Sequence, residues 1–208
     1  MRQFFGFILI LIAMMENVSA QSLPSHTATV TKFPNGAVIT NYETKGNLES
    51  KNDLKCIKLT EVKNTYTPAD LYKAFAQCIQ DNKYEDAIPL FMVAGAYGKF
   101  DSRRVADVSS HQAMTVLIMN NTASLTDEQK KKWKESLGTF TAGNSSPEFL
   151  QACNSIKHLG PPDYYPSYMI QHGMGAFTKS NGNPIVDNFN PQSAWEEAQE
   201  KYLHCPLD

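Results

Sequence analysis

Two patterns of apolar and polar residues divide the chain. Thr27–Phe33 and Ala37–Tyr42 are β-rich runs separated by Pro34-Asn35-Gly36, and an Asn-Gly step between such runs predicts a β-hairpin. Gly46–Asp53 is polar and reads as a linker, and Leu54–Val62 suits either a short strand or the approach to a helix. From Thr67 onward, apolar residues recur with helical spacing. Thr67-Pro68-Ala69-Asp70 supplies an N-cap, a proline at the first helical position and an acid at the third. The expected helix runs to about Ile79, with Leu71, Phe75 and Cys78 on one face, and is broken by Asp81-Asn82-Lys83.

Four further long helices are predicted. One runs from Tyr84 to about Tyr97 with Ala87, Phe91 and Ala94 inward, kinked at Pro89, whose ring displaces the preceding turn. Another is capped by Asp101 and reaches about Met119, with Val105, Val108, Val116 and Met119 as its stripe. Thr126-Asp127-Glu128-Gln129 resembles a capping box opening a helix that carries Trp133 and Leu137 and stops at Gly138. Ser146-Pro147 opens the next, through Cys153 and Ile156 to Gly160. Pro161–Pro166 is stiff and extended, Ser167–Met174 has room for a further turn or two, and Lys179–Asn190 is a loop rich in Asn and Gly. Asn190-Pro191 starts a last helix that packs through Ala194, Trp195, Ala198 and Tyr202. The expected fold class is mainly α, a disulfide-stabilised helical bundle or irregular helical array with an N-terminal β-hairpin.

The first twenty residues change the picture of where this fold forms. Met1-Arg2, the apolar run Phe4–Met15 and the small residues Val18-Ser19-Ala20 have the layout of a secretory signal, too short for a membrane anchor. The expected organisation is a leader over 1–20, a hairpin and linker over 21–52, and a helical domain over 53–208. The expected location is the periplasm or the medium, with no membrane anchor after cleavage. There, Cys56, Cys78, Cys153 and Cys205 are able to pair. Three pairings are open. Cys56–Cys78 and Cys153–Cys205 is the favoured one, because each bridge closes a loop within its own half. Chain entropy gives the shorter loop roughly 3 kcal/mol and the longer about 4. The cysteine spacing matches no zinc or redox motif. The net charge of −2 argues against nucleic acid as a partner.

The segment Asn82-Lys83-Tyr84-Glu85-Asp86-Ala87, followed by Phe91 and Ala94, resembles the second half of a tetratricopeptide or Sel1-like repeat, with Leu71 where such repeats carry a large apolar residue. The resemblance spans residues 71–94, about one repeat; Pro89 departs from the pattern and no second copy follows. It implies protein binding on a helical face.

Candidate chemistry is sparse. There is no His-Glu-x-x-His pair, no nucleophile elbow and no phosphate-binding glycine loop, and no cofactor or metal is expected. On the predicted third helix, Asp107 and His111 are one turn apart, a spacing that suits a carboxylate orienting an imidazole. His172 precedes Gly173-Met174-Gly175, whose backbone N–H groups could approach a reacting oxygen. The richest segment is Pro161–Phe177, where Tyr164, Tyr165, Tyr168, Met169, Met174 and Phe177 combine aromatic and thioether side chains with stiffening prolines, a composition suited to partner contact. Two functional expectations follow. The first is an exported protein-binding module, in a bacterial periplasm an immunity protein or inhibitor that neutralises a toxin or effector. The alternative is an exported hydrolase with an atypical His/Asp site built from His111, His172 and Asp107.

Overall fold

In a computed structural model of the chain, which describes residues 26–32, 36, 38–178 and 182–206, Thr67 opens the first helix, α1 (Pro68–Gln80), through a reciprocal cap. Its hydroxyl accepts the Asp70 N–H at 3.3 Å, and the Asp70 carboxylate accepts the Thr67 N–H at 2.8 Å. The same carboxylate gathers the preceding linker, accepting the backbone N–H groups of Lys51 and Asn52 at 2.7 and 2.8 Å. Upstream, β1 (His26–Lys32) and β2 (Val38–Thr44) pair antiparallel, with His26 opposite Thr44 and Lys32 opposite Val38. Gly36, at the turn, has φ of 83°, which a residue with a Cβ rarely adopts. The remainder of the predicted turn, Pro34-Asn35, and the leader over 1–20 lie outside the described residues. Leu54–Val62 is neither strand nor α-helix; it carries a single 3-10 turn at Leu59–Glu61.

The helix after α1 is the hub of the molecule. α2 (Tyr84–Arg104) is buried on almost every side from Ala87 to Asp101, as expected of a helix wrapped by others rather than lying on a surface. α1 lies along it. α4 (Asp127–Phe140), α8 (Pro191–Glu197) and the π-turn Ala198–Tyr202 also pack on it, while α3 (Ala113–Thr122) rests chiefly on α1. Ala87 and Ala94 are fully buried, and Phe91 meets Phe75, Tyr72 and Trp133 with ring centroids 5.2–5.8 Å apart. Two glycines on α2 are packing notches. A Cβ on Gly95 would come within 2.5 Å of the Tyr202 hydroxyl, and one on Gly98 within 2.5 Å of the Met114 side chain. α5 (Pro147–Leu159) is capped by the Ser146 hydroxyl and ends at Gly160, with φ of 80°. Short helices α6 (Ser167–Ile170) and α7 (Gly175–Thr178) follow. Both disulfides join cysteines of the same half, Cys56 to Cys78 and Cys153 to Cys205.

The predicted third helix is the main correction. Asp101 does not cap it: α2 continues for a further turn, because Asp101 finds its partners inside the protein. The chain then extends through Val105, which bridges to Ile185. It makes a 3-10 turn over Val108–Gln112 and enters α3 only at Ala113. The late start shifts the helical phase. Ala113 and Leu117 are buried, whereas Val108 and Met119, expected inward, are 73% and 64% exposed. α4 also runs past Gly138 to Phe140. A lone glycine costs a helix only about 1 kcal/mol, and the left-handed Gly143 comes after the end of the helix.

Candidate functional site

The sequence candidates other than the cysteines gather in one region, where the end of α2 meets the chain from Tyr164 to Phe177. The region is built on Asp101. This fully buried carboxylate accepts the Arg104 Nε–H at 2.8 Å, the Tyr164 hydroxyl at 2.9 Å and the Tyr168 hydroxyl at 2.7 Å. The Arg104 guanidinium lies 5.1 Å from the ring centroids of both Phe100 and Tyr164. Burial raises the Asp101 pKa above its ordinary 3.8, against the opposing pull of Arg104 and the two hydroxyls. Burial likewise pushes both tyrosines well above 10, so each stays a hydroxyl donor. Tyr164 and Tyr168 therefore anchor their segment to the core, and Met169, 0% exposed, packs beside them.

Asp107 is a second organiser. Its Oδ1 accepts the Ser109 N–H at 3.0 Å and hydroxyl at 2.6 Å, and its Oδ2 accepts the Gly175 N–H at 2.7 Å. The Ser109 hydroxyl oxygen accepts the Met174 N–H at 2.8 Å. Burial opposes ionisation of Asp107, but these donors and the nearby His111 outweigh it and hold the pKa below 3.8. A Cβ on Gly173 would lie 2.3 Å from Asp107 Oδ2, so the glycine turn sits directly on the Asp107 carboxylate. Other segments close the region. The Thr44 hydroxyl donates to the Gln171 carbonyl, and the Leu48 N–H to the Tyr168 carbonyl. The Val186 and Ala106 N–H groups pair with the carbonyls of Arg104 and Pro184.

The two histidines have structural partners here. His111 Nε2 is 2.9 Å from the Val105 carbonyl oxygen, a hydrogen bond it makes as donor, and His172 Nδ1 is 2.9 Å from the Asn47 side-chain oxygen. Burial holds the His172 pKa below 6.5. Asp107 hydrogen-bonds neither ring, its oxygens being taken by Ser109 and Gly175. Three cavities among the described residues are lined by none of Asp107, His111 and His172. Among the described residues there is no cluster of metal-ligating side chains, and no helix is long and apolar enough to cross a membrane.

Several large apolar side chains of this region reach solvent. Met174 is 60% exposed, Tyr165 56%, Val108 73% and Val186 39%, while Phe177 is half-buried. The Met174 N–H bond to the Ser109 hydroxyl and the Val186 N–H bond to the Arg104 carbonyl bring Met174, Val108 and Val186 onto the same set of loops. Sequence reasoning found Tyr165 and Met174 but missed Val108, assigned to a core stripe, and Asp101, assigned to a cap. No protein-family model, curated protein or solved structure matches the chain.

Proposed function

We propose that the protein is an exported binding module that recognises another protein through the Tyr165–Met174–Val108 surface, and that it acts as an immunity protein or inhibitor neutralising a toxin or effector in the periplasm. The observation that carries this reading is a set of exposed apolar side chains on loops fixed from beneath by Asp101 and Asp107. Large apolar groups on a pre-ordered backbone lose little entropy on association, which is what a tight inhibitor needs. The leader-like segment at 1–20 and the two disulfides support an oxidising location.

The test is genetic. Deleting the gene is expected to make cells lose in co-culture with their own parent strain. A plasmid copy restores survival, whereas copies lacking residues 1–20 or carrying Met174→Asp with Tyr165→Ala do not. Full competitiveness of the deletion strain, or rescue by the leaderless copy, would overturn the proposal.

A further inference from the structure

The molecule has a second concave surface, unconnected with the loops above. A groove of about 740 Å³ lies between the 3-10 turn Leu59–Glu61, the first turns of α2, the end of α4 and the start of α5. Its apolar lining is Leu59, Ile88, Pro89, Phe140 and Ala152. The charged residues are four acids, Glu85, Asp86, Glu135 and Glu148, against a single base, Lys58. Of these four acids, Glu135 alone has a described cation within 4.0 Å, Lys131 at 3.9 Å; Glu85, Asp86 and Glu148 have none among the described residues. This charge is local, since the whole chain carries only −2.

Two features give the groove the character of a prepared site. Pro89 has no N–H, so the carbonyl of Glu85, a lining residue, has no i+4 donor within α2. The walls are also fixed covalently. Cys56, two residues before Lys58, is bridged to α1, and Cys153, beside Ala152 on α5, is bridged to Cys205. An adjoining cavity shares Leu59, Thr60, Gln151 and Ser155 and adds Val62, Leu150 and Leu159.

We infer that this groove binds a lysine- or arginine-bearing extended segment of a partner protein. The cationic heads meet Glu85, Asp86 and Glu148, and the apolar stems and neighbouring residues lie on Ile88, Pro89 and Phe140. Charge complementarity selects this occupant, because long basic side chains carry both an aliphatic stem and a charged donor tip. The inference stands apart from the proposed function and needs no toxin.

The probe is the acetylated, amidated peptide Lys-Leu-Lys-Leu-Lys, titrated by NMR into the full disulfide-bonded protein, with Glu-Leu-Glu-Leu-Glu as its charge-reversed counterpart. Saturable binding is expected below about 1 mM, with shifts centred on the groove. Glu85→Gln with Glu148→Gln is expected to weaken it about tenfold. Glu196→Gln with Glu200→Gln changes net charge equally on exposed positions outside the groove and is expected to leave affinity unchanged. The inference is overturned by the absence of saturation, by equal binding of the glutamate peptide, by shifts centred elsewhere, or by equal weakening in both double variants. Circular dichroism and unchanged spectra away from the substitutions establish that each variant is folded.

Discussion

Asp70 and Asp101 are both fully buried aspartates on the α1–α2 pair, yet they respond to pH in opposite directions. Burial acts to raise the Asp70 pKa, but the Asn52 and Thr67 N–H groups and the Asn52 and Ser50 side chains overcome it, leaving it below 3.8. A depressed carboxyl contributes stability above its unfolded pKa and loses it as pH falls through the folded value. Asp101 is raised, so the folded state holds its proton more tightly than the unfolded chain. Its contribution therefore grows as pH falls from its folded pKa towards 3.8. Asp70→Asn is expected to cost about 3 kcal/mol at neutral pH and to flatten the loss of stability below about pH 4. Urea unfolding across pH checks both effects. Asp101→Asn leaves Arg104 without a counter-charge, and a loss of about 3–5 kcal/mol is expected in the same assay. Only the first residue was legible in the sequence. Asp70 sits three residues after a capping threonine, a local signal, whereas the partners of Asp101 at Tyr164 and Tyr168 are more than sixty residues away and arrive only with the fold.

At the scale of elements, the helices with chemical punctuation at their ends were readable. Thr67, Thr126, Ser146 and Asn190 each cap a helix through the predicted side chain. The failure lay between Phe100 and Ala113, where apolar residues recur at helical spacing through a stretch that is extended at Val105 and 3-10 at Val108–Gln112. Periodicity cannot register the bridge from Val105 to Ile185, because that partner is distant in the sequence. The corrected phase has a direct test. Leu117→Ala is expected to cost about 2–5 kcal/mol, while Val108→Ser stays within about 0.5 kcal/mol, both from urea midpoints. A large loss at Val108 would restore the longer helix. Pro89 offers a second element-scale test. It lies inside α2, where the missing N–H and the ring contact are both unfavourable, so Pro89→Ala is expected to stabilise the protein by about 1–2 kcal/mol. A gain in stability with weaker binding of the lysine peptide would mean that the proline is kept for the groove.

The described residues form one buried helix wrapped by others, with sulfur bridges tying an irregular segment to a surrounding helix at two places; Cys78, Cys153 and Cys205 are themselves buried. Each bridge ties a segment with little regular packing to a helix: Cys56 brings the irregular stretch before α1 against Cys78, and Cys205 brings the C-terminal tail against Cys153 in α5. The buried faces between α1 and α2 include Leu71, Phe75, Ala87 and Ala94, none of which is part of a bridge. Removing a bridge is therefore expected to loosen the segment it ties and to leave the centre formed. The closed loops span 22 and 52 residues, so the entropy returned to the unfolded chain is expected to lower stability by about 3 kcal/mol for Cys56→Ala with Cys78→Ala and by about 4 kcal/mol for Cys153→Ala with Cys205→Ala. Amide hydrogen exchange in the native state separates local from global effects. The first variant is expected to lose protection over residues 54–62, and the second over α5 and residues 198–205. Both should retain the slowest-exchanging amides in α2, at a rate set by the reduced global stability. If either variant lost protection uniformly, including Ala87–Phe100, the bridges would be part of the centre itself, and the division into a helical hub with two stapled margins would fail.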